Sequence, residues 1–464
     1  MLRVFRHYLS WHVLVLTLAD VIILLGAAYA GRLAPVVGLS PLWEGFGPFL
    51  PKALTFAGLG WFVLFVGGGY DLSPRQGRKE ILLRVMACFA ALTFLVSATG
   101  FAFPTLRWGR LALLLALVLG CCAVTAVRIM SLRLWDAPHF RERLLLLGAT
   151  PLADRMIETI AKVGARGFEV VGYVDNGAEI GANPNNGYRV LGRVAELERV
   201  AAMHRAGTIV VTLDERRGTL PLDAILDCKL RGIRVEDWPS FYERLTGRIG
   251  IENLRPSWMV FSDGFHRASV TRTVKRAMDI ALALVFLVLG FPFFVLITAA
   301  ITLESRGPVF FRQERVGQGG RRFNVLKFRT MVEEAEEQSG PVWATENDPR
   351  ITRVGRFLRR SRLDEFPQIV NVLRGDMSFV GPRPERPHFF EILQQRIPYY
   401  MQRQSVKPGI TGWAQIRHPY GSTIEAAAQK LEYDLYYIKN MSIFLDLLIV
   451  LTTIQVVLFG RGAR

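Results

Sequence analysis

Long apolar stretches separated by short basic segments dominate the first 135 residues. Runs at about 11–31, 53–69, 85–104 and 109–131 each approach the ~20 residues that a helix needs to cross the hydrocarbon core. They predict a four-helix transmembrane bundle over 1–135. The first run is too long, and lacks the small-residue cleavage pattern, for a secretory signal peptide, so it reads as an uncleaved span. Arg3 and Arg6 precede it, Arg75, Arg78, Lys79 and Arg84 lie between the second and third runs, and Arg128, Arg133, Arg141 and Arg143 follow the fourth. The opposite loops carry only Arg32 and Lys52, and Arg107 and Arg110. This bias places both ends of the bundle in the cytoplasm. No buried charge network of the kind transport needs is legible, and Asp20 is the one candidate member.

From about 136 to 245 the pattern changes to short apolar runs alternating with helical periods, as in RERLLLLGATPLADRMIETIAKVGARGFEVVGYVDN. That alternation predicts a small parallel, Rossmann-like α/β domain. Its first turn reads Gly148-Ala149-Thr150-Pro151-Leu152-Ala153. Thr150 stands where a second glycine would admit a pyrophosphate, and Pro151 removes a backbone N–H from the anion nest. A structural or regulatory module is the expectation.

After a linker at 246–270, the run at 277–303 is long enough to span but carries Gly290 and Pro292 at its middle. Pro292 deletes one helical hydrogen bond, and a sharp kink is expected. Arg272, Lys275 and Arg276 precede the run, and Arg306, Arg312, Arg315, Arg321 and Arg322 follow it. Basic residues on both sides predict a re-entrant helix-break-helix that returns to the cytoplasmic side. The C-terminal run around Asp446 reads as an interfacial or core helix.

Composition changes the picture in one direction. Hydrophobic residues make up 51% of 464, high for a soluble protein, and 57 Lys and Arg against 40 Asp and Glu give a net charge of +17. That balance suits nucleic acid, an anionic membrane or phosphorylated substrates, and the hydrophobicity favours the membrane over nucleic acid. Cys88, Cys121, Cys122 and Cys228 have neither CxxC nor zinc-ligand spacing, and the seven histidines lack HExxH spacing. Neither a disulfide framework nor a histidine-ligated metal is legible.

The candidate chemistry lies in the last 190 residues. GPVFFRQERVGQGGRRFNVLKFRTM (307–331) sets Arg312, Arg315, Lys327 and Arg329 on strand-like or turn-like segments as a phosphate-facing surface. Arg350, Arg353, Arg356 and Arg359 are three apart and predict a basic helical stripe that docks on lipid headgroups, each cation worth about 1 kcal/mol. In SRLDEFPQIVNVLRGDMSFVGPRP (361–384), Asp364 suits an N-cap and Pro367 the first turn of a helix from about Glu365 to Leu373, ending near Gly375. The two acids would then stand at a helix N-terminus, where anions are favoured, and point about 100° apart. One can attack phosphorus while the other holds a metal, and Mg²⁺ is expected because an anionic nucleophile must approach a pyrophosphate. Arg383, between Pro382 and Pro384, is suited to clamp phosphate oxygens, with Arg362 beside the acids as a further phosphate binder. The acidic run EEAEE at 333–337 reads as a solvated face rather than a metal site.

These segments resemble the bacterial sugar transferase family, the monotopic phosphoglycosyl transferases. The matching pieces are KRAMDI before a proline-broken membrane helix, GPVFFRQERVG, LKFRTM, RITRVGRFLRRSRLDEFPQIVNVLRGDMSFVGPRPE, VKPGITGWAQI and LEYDLYYIKNMSIFLDLLIVL. The whole chain is similar to the large polyprenyl-phosphate hexose-1-phosphate transferases, and ERLTGRIGIENLRPSWMVFSDGF to an exopolysaccharide-associated subgroup. The resemblance implies a multi-domain membrane protein with a four-helix transmembrane bundle, a Rossmann-like α/β domain and, over 271–464, an α+β catalytic domain with a proline-broken re-entrant membrane helix. It implies transfer of a sugar 1-phosphate from a UDP-sugar to polyprenyl (undecaprenyl) phosphate, releasing UMP, on the cytoplasmic face of a bacterial inner membrane. Asp364 would be the nucleophile, Glu365 its acidic partner at Mg²⁺, and Arg383 a phosphate ligand. A homo-oligomer and downstream glycosyltransferases would be its partners. One departure is Phe291-Pro292 where relatives often have Ser-Pro, so that Gly290, Thr298 or water must compensate for a missing hydroxyl. Two other readings stay open: an NAD-dependent nucleotide-sugar modifying enzyme using the α/β domain, and a non-catalytic polysaccharide-export partner.

Overall fold

The computed structural model describes residues 2–4, 7–9, 11–33, 46–70, 78–135, 141–163, 167–177, 179–182, 187–213, 220–252, 254, 256–265, 269–332, 350–418, 421 and 423–459. The 333–337 acidic run lies outside them. By its internal contacts the chain divides into two compact units, one of Tyr8–Thr246 and one from Gly247 onward, with Arg3–His7 grouped with the second.

A short pair of strands, β1 (Leu2–Val4) and β2 (His7–Leu9), precedes four apolar helices, α1 (Trp11–Leu33), α2 (Phe46–Val66), α3 (Arg78–Ala102) and α4 (Arg110–Trp135). Each is long and apolar enough to cross a membrane. α1 packs on α2 and α4, α2 on α3, and α3 on α4, around Leu24, Phe56, Leu92 and Val124. The charge pattern within them departs from expectation. Arg128 on α4 pairs with Asp20 on α1, both fully buried, and its Nε donates to Gly69 O at 3.0 Å. Arg84 Nη1 donates to Gly68 O at 2.9 Å, so two arginines hold carbonyls of the glycine turn after α2. Helix ends leave such carbonyls without intrahelical partners, and in an apolar medium the cost is high. Asp20 therefore acts within a buried ion pair. Replacing it with leucine is expected to destabilise the protein by about 3 kcal/mol or more, read as a lower melting temperature in detergent, because Arg128 is left buried and uncompensated.

The same unit holds a five-stranded parallel sheet in the order β5-β4-β3-β6-β7. Its elements run β3 (Glu142–Leu147), α5 (Pro151–Val163), β4 (Phe168–Val174), β5 (Val190–Gly192), α6 (Leu197–Met203), β6 (Thr208–Val211), α7 (Leu222–Leu230), β7 (Arg234–Asp237) and α8 (Trp238–Thr246). Leu144 and Leu146 face α5 and α8, while Leu145 and Leu147 face α6 and α7. Four consecutive leucines are fully buried because both sheet faces are covered. The turn after β3 binds its own surroundings. Asp175 Oδ2 accepts from Ala149 N at 2.7 Å, Thr150 Oγ1 donates to Thr212 O at 2.7 Å, and a Cβ at Gly148 would lie 2.8 Å from the Leu213 side chain. The backbone donor that a dinucleotide phosphate would need at Ala149 is thus already used.

The second unit begins with α9 (Pro256–Phe261) and the 36-residue α10 (Ser269–Glu304). α10 stays helical across Pro292, so no non-helical segment interrupts it; proline removes one hydrogen bond and can bend a helix without ending it. Among the described residues the Thr298 hydroxyl has no hydrogen-bond partner, so it does not compensate at the proline there. Both ends of α10 are tied to the rest of this unit. Arg276 donates to the carbonyls of Val372 and Leu373, Asp279 Oδ1 accepts from Ser378 Oγ and Phe379 N, and Glu304 accepts from the N–H groups of Arg353 and Val354. Then follow the antiparallel hairpin β8 (Phe310–Val316) and β9 (Arg322–Phe328), α11 (Arg353–Ser361), α12 (Gln368–Arg374), β10 (Ser378–Val380), α13 (Pro387–Arg396), β11 (Gly409–Thr411), α14 (Trp413–Arg417), α15 (Ile424–Asn440) and α16 (Ile443–Phe459). β10 pairs in parallel with β11. α16 carries Asp446 fully buried, accepting from Lys275 Nζ at 2.7 Å and from Tyr437 OH at 2.8 Å.

Candidate functional site

Asp364 and Glu365 stand between α11 and α12. Sequence pattern predicts Asp364 as an N-cap; it lies instead in a 3-10 turn, Leu363–Glu365, and α12 begins only at Gln368. The cause is Arg362, whose left-handed backbone (φ 57°) ends α11 and turns the chain before a new helix can start. Gly375 ends α12 as expected, in the left-handed region at φ 92°. On either side of the acids, Leu363 and Phe366 pack into an apolar cluster with Ile301, Phe328 and Leu358, which fixes the turn on α10. Gly290 makes this possible, since a Cβ there would lie 2.1 Å from the Phe366 ring. Gly290→Val is expected to displace Phe366 and the adjacent acids and lower turnover about a hundredfold, measured as initial rate in a folded sample.

The two carboxylates have opposite surroundings. Glu365 is 8% exposed and accepts from Lys327 Nζ at 3.0 Å and from both Arg383 Nη atoms, Nη1 at 3.2 Å. Burial alone would raise its pKa, but Arg383 and Lys327 hold it well below the usual carboxylate range. No donor reaches the half-buried Asp364 carboxylate among the described residues. Burial and the adjacent Glu365 raise its pKa, against the pull of Lys327, Arg383 and Arg359. One acid is fixed in an ion-pair network, and the other is left available for chemistry.

The predicted cations divide in the same way. Lys327, brought in by β9, and Arg383, in the turn after β10, reach the acids. Arg362 is close enough to feel Arg383 and both carboxylates, and burial lowers its pKa. Arg315 faces the back of the site, with Nη1 donating to Pro384 O at 3.0 Å and Nη2 to Gln313. Burial, with Arg383 beside it, lowers its pKa to about 10. Arg329 turns to the end of α10, donating to the carbonyls of Ser305 and Arg306 and to Ser305 Oγ.

The lipid-facing stripe also needs correction. Arg350 precedes α11, and Arg353, Arg356 and Arg360 are exposed together with Phe357, but Arg359 turns inward: its Nε donates to Thr330 Oγ1 at 2.8 Å and its charge acts on Asp364. A three-residue spacing drifts around a helix, and sequence alone does not set which member faces inward. Asn371 carries no sequence signal that marks it for this site. Fully buried, its Oδ1 accepts from Leu326 N at 3.0 Å and its Nδ2 donates to Asn324 O at 2.8 Å, locking the strand of Lys327 to the helix behind Glu365.

Comparisons with known proteins bear on the family of this chain. Residues 270–460 match the family model described as bacterial sugar transferase, and residues 66–220 match a CoA-binding domain model. An Aeromonas hydrophila protein named UDP-N-acetylgalactosamine-undecaprenyl-phosphate N-acetylgalactosaminephosphotransferase is 44% identical over 51% of this chain and 55% of its own length. The UDP-glucose:undecaprenyl-phosphate glucose-1-phosphate transferase of Escherichia coli (strain K12) is 36% identical over 69% of each chain. The exopolysaccharide production protein PSS of Rhizobium leguminosarum bv. phaseoli is 40% identical over 39% of this chain and 93% of its own length. The family match spans every element of the acid and cation cluster, and the likeness to the E. coli protein extends over two thirds of both chains; this chain belongs to the bacterial sugar transferase family.

Proposed function

We propose that the protein transfers a sugar 1-phosphate from a UDP-sugar to undecaprenyl phosphate, releasing UMP, at the start of exopolysaccharide synthesis. The observation that carries this reading is the unequal pair of adjacent acids: Glu365 bound by Lys327 and Arg383, Asp364 unbound and set among cations. An Asp364 oxygen attacks the sugar-bearing phosphorus, the bond to the UMP oxygen breaks, and UMP leaves with that electron pair. The sugar phosphate is then held as an acyl phosphate, which splits one displacement into two. An oxygen of the lipid phosphate attacks the same phosphorus and frees the Asp364 carboxylate. Arg383 and Lys327, kept in place by Glu365, offset charge on the diphosphate.

Mg²⁺ fits this donor set in part. Among the described residues no group of three or more His, Cys, Asp or Glu gathers for a metal, but Mg²⁺ needs only one or two carboxylates beside water and substrate phosphates. Asp364 would hold it with the diphosphate oxygens, and Glu365 would join only by releasing a cation. The ion would neutralise charge on the diphosphate when bound.

The membrane arrangement follows the same reading. α1–α4 form a transmembrane bundle. A straight 36-residue helix is about 54 Å long and exceeds the ~30 Å core, yet both ends of α10 bond to one compact unit. Bent at Pro292, a helix tethered in this way enters and returns to the same face, and the basic flanks favour the cytoplasmic one. The acids then lie at headgroup level, where a soluble nucleotide sugar meets a lipid phosphate.

The test uses purified protein with Mg²⁺, undecaprenyl phosphate and a panel of UDP-sugars, reading UMP. One UMP per enzyme without lipid, and sustained release with it, is expected for one sugar of the panel. A folded sample that releases no UMP from any of them sinks the reading.

A further inference from the structure

The Pro382-Arg383-Pro384 turn has an unusual hydrogen-bonding problem. Its two prolines have no N–H, so the turn has few donors with which to hold itself. Its carbonyls are the available handles, and four successive ones are held from three segments, the last two by neighbouring residues of β8. Gly409 N donates to Pro382 O at 3.0 Å, Arg403 Nη2 to Arg383 O at 3.0 Å, Arg315 Nη1 to Pro384 O at 3.0 Å, and Val316 N to Glu385 O at 3.0 Å.

Arg403 is the buried cation of this set, and no step of the reaction uses it. It is 9% exposed, and its other nitrogens are committed: Nε donates to Asp434 Oδ2 at 2.8 Å and Nη1 to Tyr400 OH at 2.7 Å. Asp434 and Tyr400 are buried at 1% and 2% exposure. Placing a buried cation behind Arg383 and Arg315 is electrostatically unfavourable, and Asp434 offsets that cost. The planar fork serves three partners at once, which an ammonium on a flexible stem does not do.

We propose that Arg403 is a positioning residue that aims the Arg383 guanidinium at the substrate diphosphate by gripping the Arg383 carbonyl, with Asp434 and Tyr400 holding Arg403 in turn. The inference rests on the reading of Arg383 as a phosphate ligand. Arg403 touches no substrate and acts only through Arg383.

A double-mutant cycle on UDP affinity, measured by calorimetry on the full chain with Mg²⁺, tests this. Arg383→Ala is expected to weaken UDP binding on the order of tenfold or more, the scale of a charge-assisted pair. Arg403→Met should produce a similar loss alone and no further loss in the Arg383→Ala background. Arg403→Lys keeps the Asp434 charge pair and guards against a misfolded methionine variant; it should fall between wild type and Arg403→Met and show the same coupling. Additive losses, or wild-type affinity in folded Arg403→Lys and Arg403→Met, overturn the proposal. Absence of UDP binding by the wild type overturns it together with the Arg383 clamp. A coupled cycle in an enzyme that releases no UMP supports the positioning role and sinks the transferase reading alone.

Discussion

Asp364→Asn should abolish both the UMP burst and turnover, by on the order of 10⁴-fold or more, while raising the melting temperature at neutral pH. The activity loss follows from removing the one carboxylate in the cluster that no protein donor occupies, and losing a nucleophile is among the costliest changes in an active site. The stability gain follows from linkage. Burial and Glu365 raise the folded-state pKa of Asp364 above 3.8, so the folded protein holds that proton more tightly than the unfolded chain. Ionisation then opposes folding at every pH above the raised value, and a neutral amide removes the cost. The gain should vanish below about pH 3.8, the reference value for an unfolded aspartate. Melting curves across this range, beside rapid-quench measurement of UMP, check both parts. A variant that still releases one UMP per enzyme at the wild-type rate removes Asp364 as nucleophile.

Glu365→Gln should behave in the opposite way on stability and differently on pH. Lys327 and Arg383 depress the folded pKa of Glu365, so its contribution is fully present above the unfolded value near 4.5 and is lost as pH falls through the folded value. The variant should therefore lose on the order of 3 kcal/mol at pH 7, the scale for breaking a buried pair, and the deficit should narrow in acid. Turnover should fall about 10²- to 10³-fold, because Lys327 and Arg383 lose the carboxylate that fixes them. The remaining activity carries a further signature. Removing the Glu365 charge takes away one cause of the raised Asp364 pKa and leaves burial alone to oppose the pull of Lys327, Arg383 and Arg359, so the acid limb of the rate profile should move to lower pH. An acid limb that stays in place would show that another group controls it.

The sequence by itself determined the apolar runs, the alternating α/β pattern and the acid and cation residue types, because side-chain periodicity and charge are local properties. RERLLLL announced a strand buried on both faces, and Gly375 and Pro-Arg-Pro announced a stop and a rigid turn. Tertiary structure decided what each charge does. Asp20 and Arg128 are 108 positions apart and meet only through the packing of α1 on α4. Arg362 in a left-handed conformation moved Asp364 out of the expected N-cap, since a chain reversal between two short helices overrides capping preference. Arg315 and Arg329 carry the same charge as Lys327 and Arg383, yet their guanidiniums are taken by carbonyls distant in sequence. Arg403 entered the site's support through a carbonyl 20 positions away. Residue type sets which bonds a side chain can make; which partner it finds depends on long-range packing, and at this site that packing leaves Asp364 free and Glu365 bound.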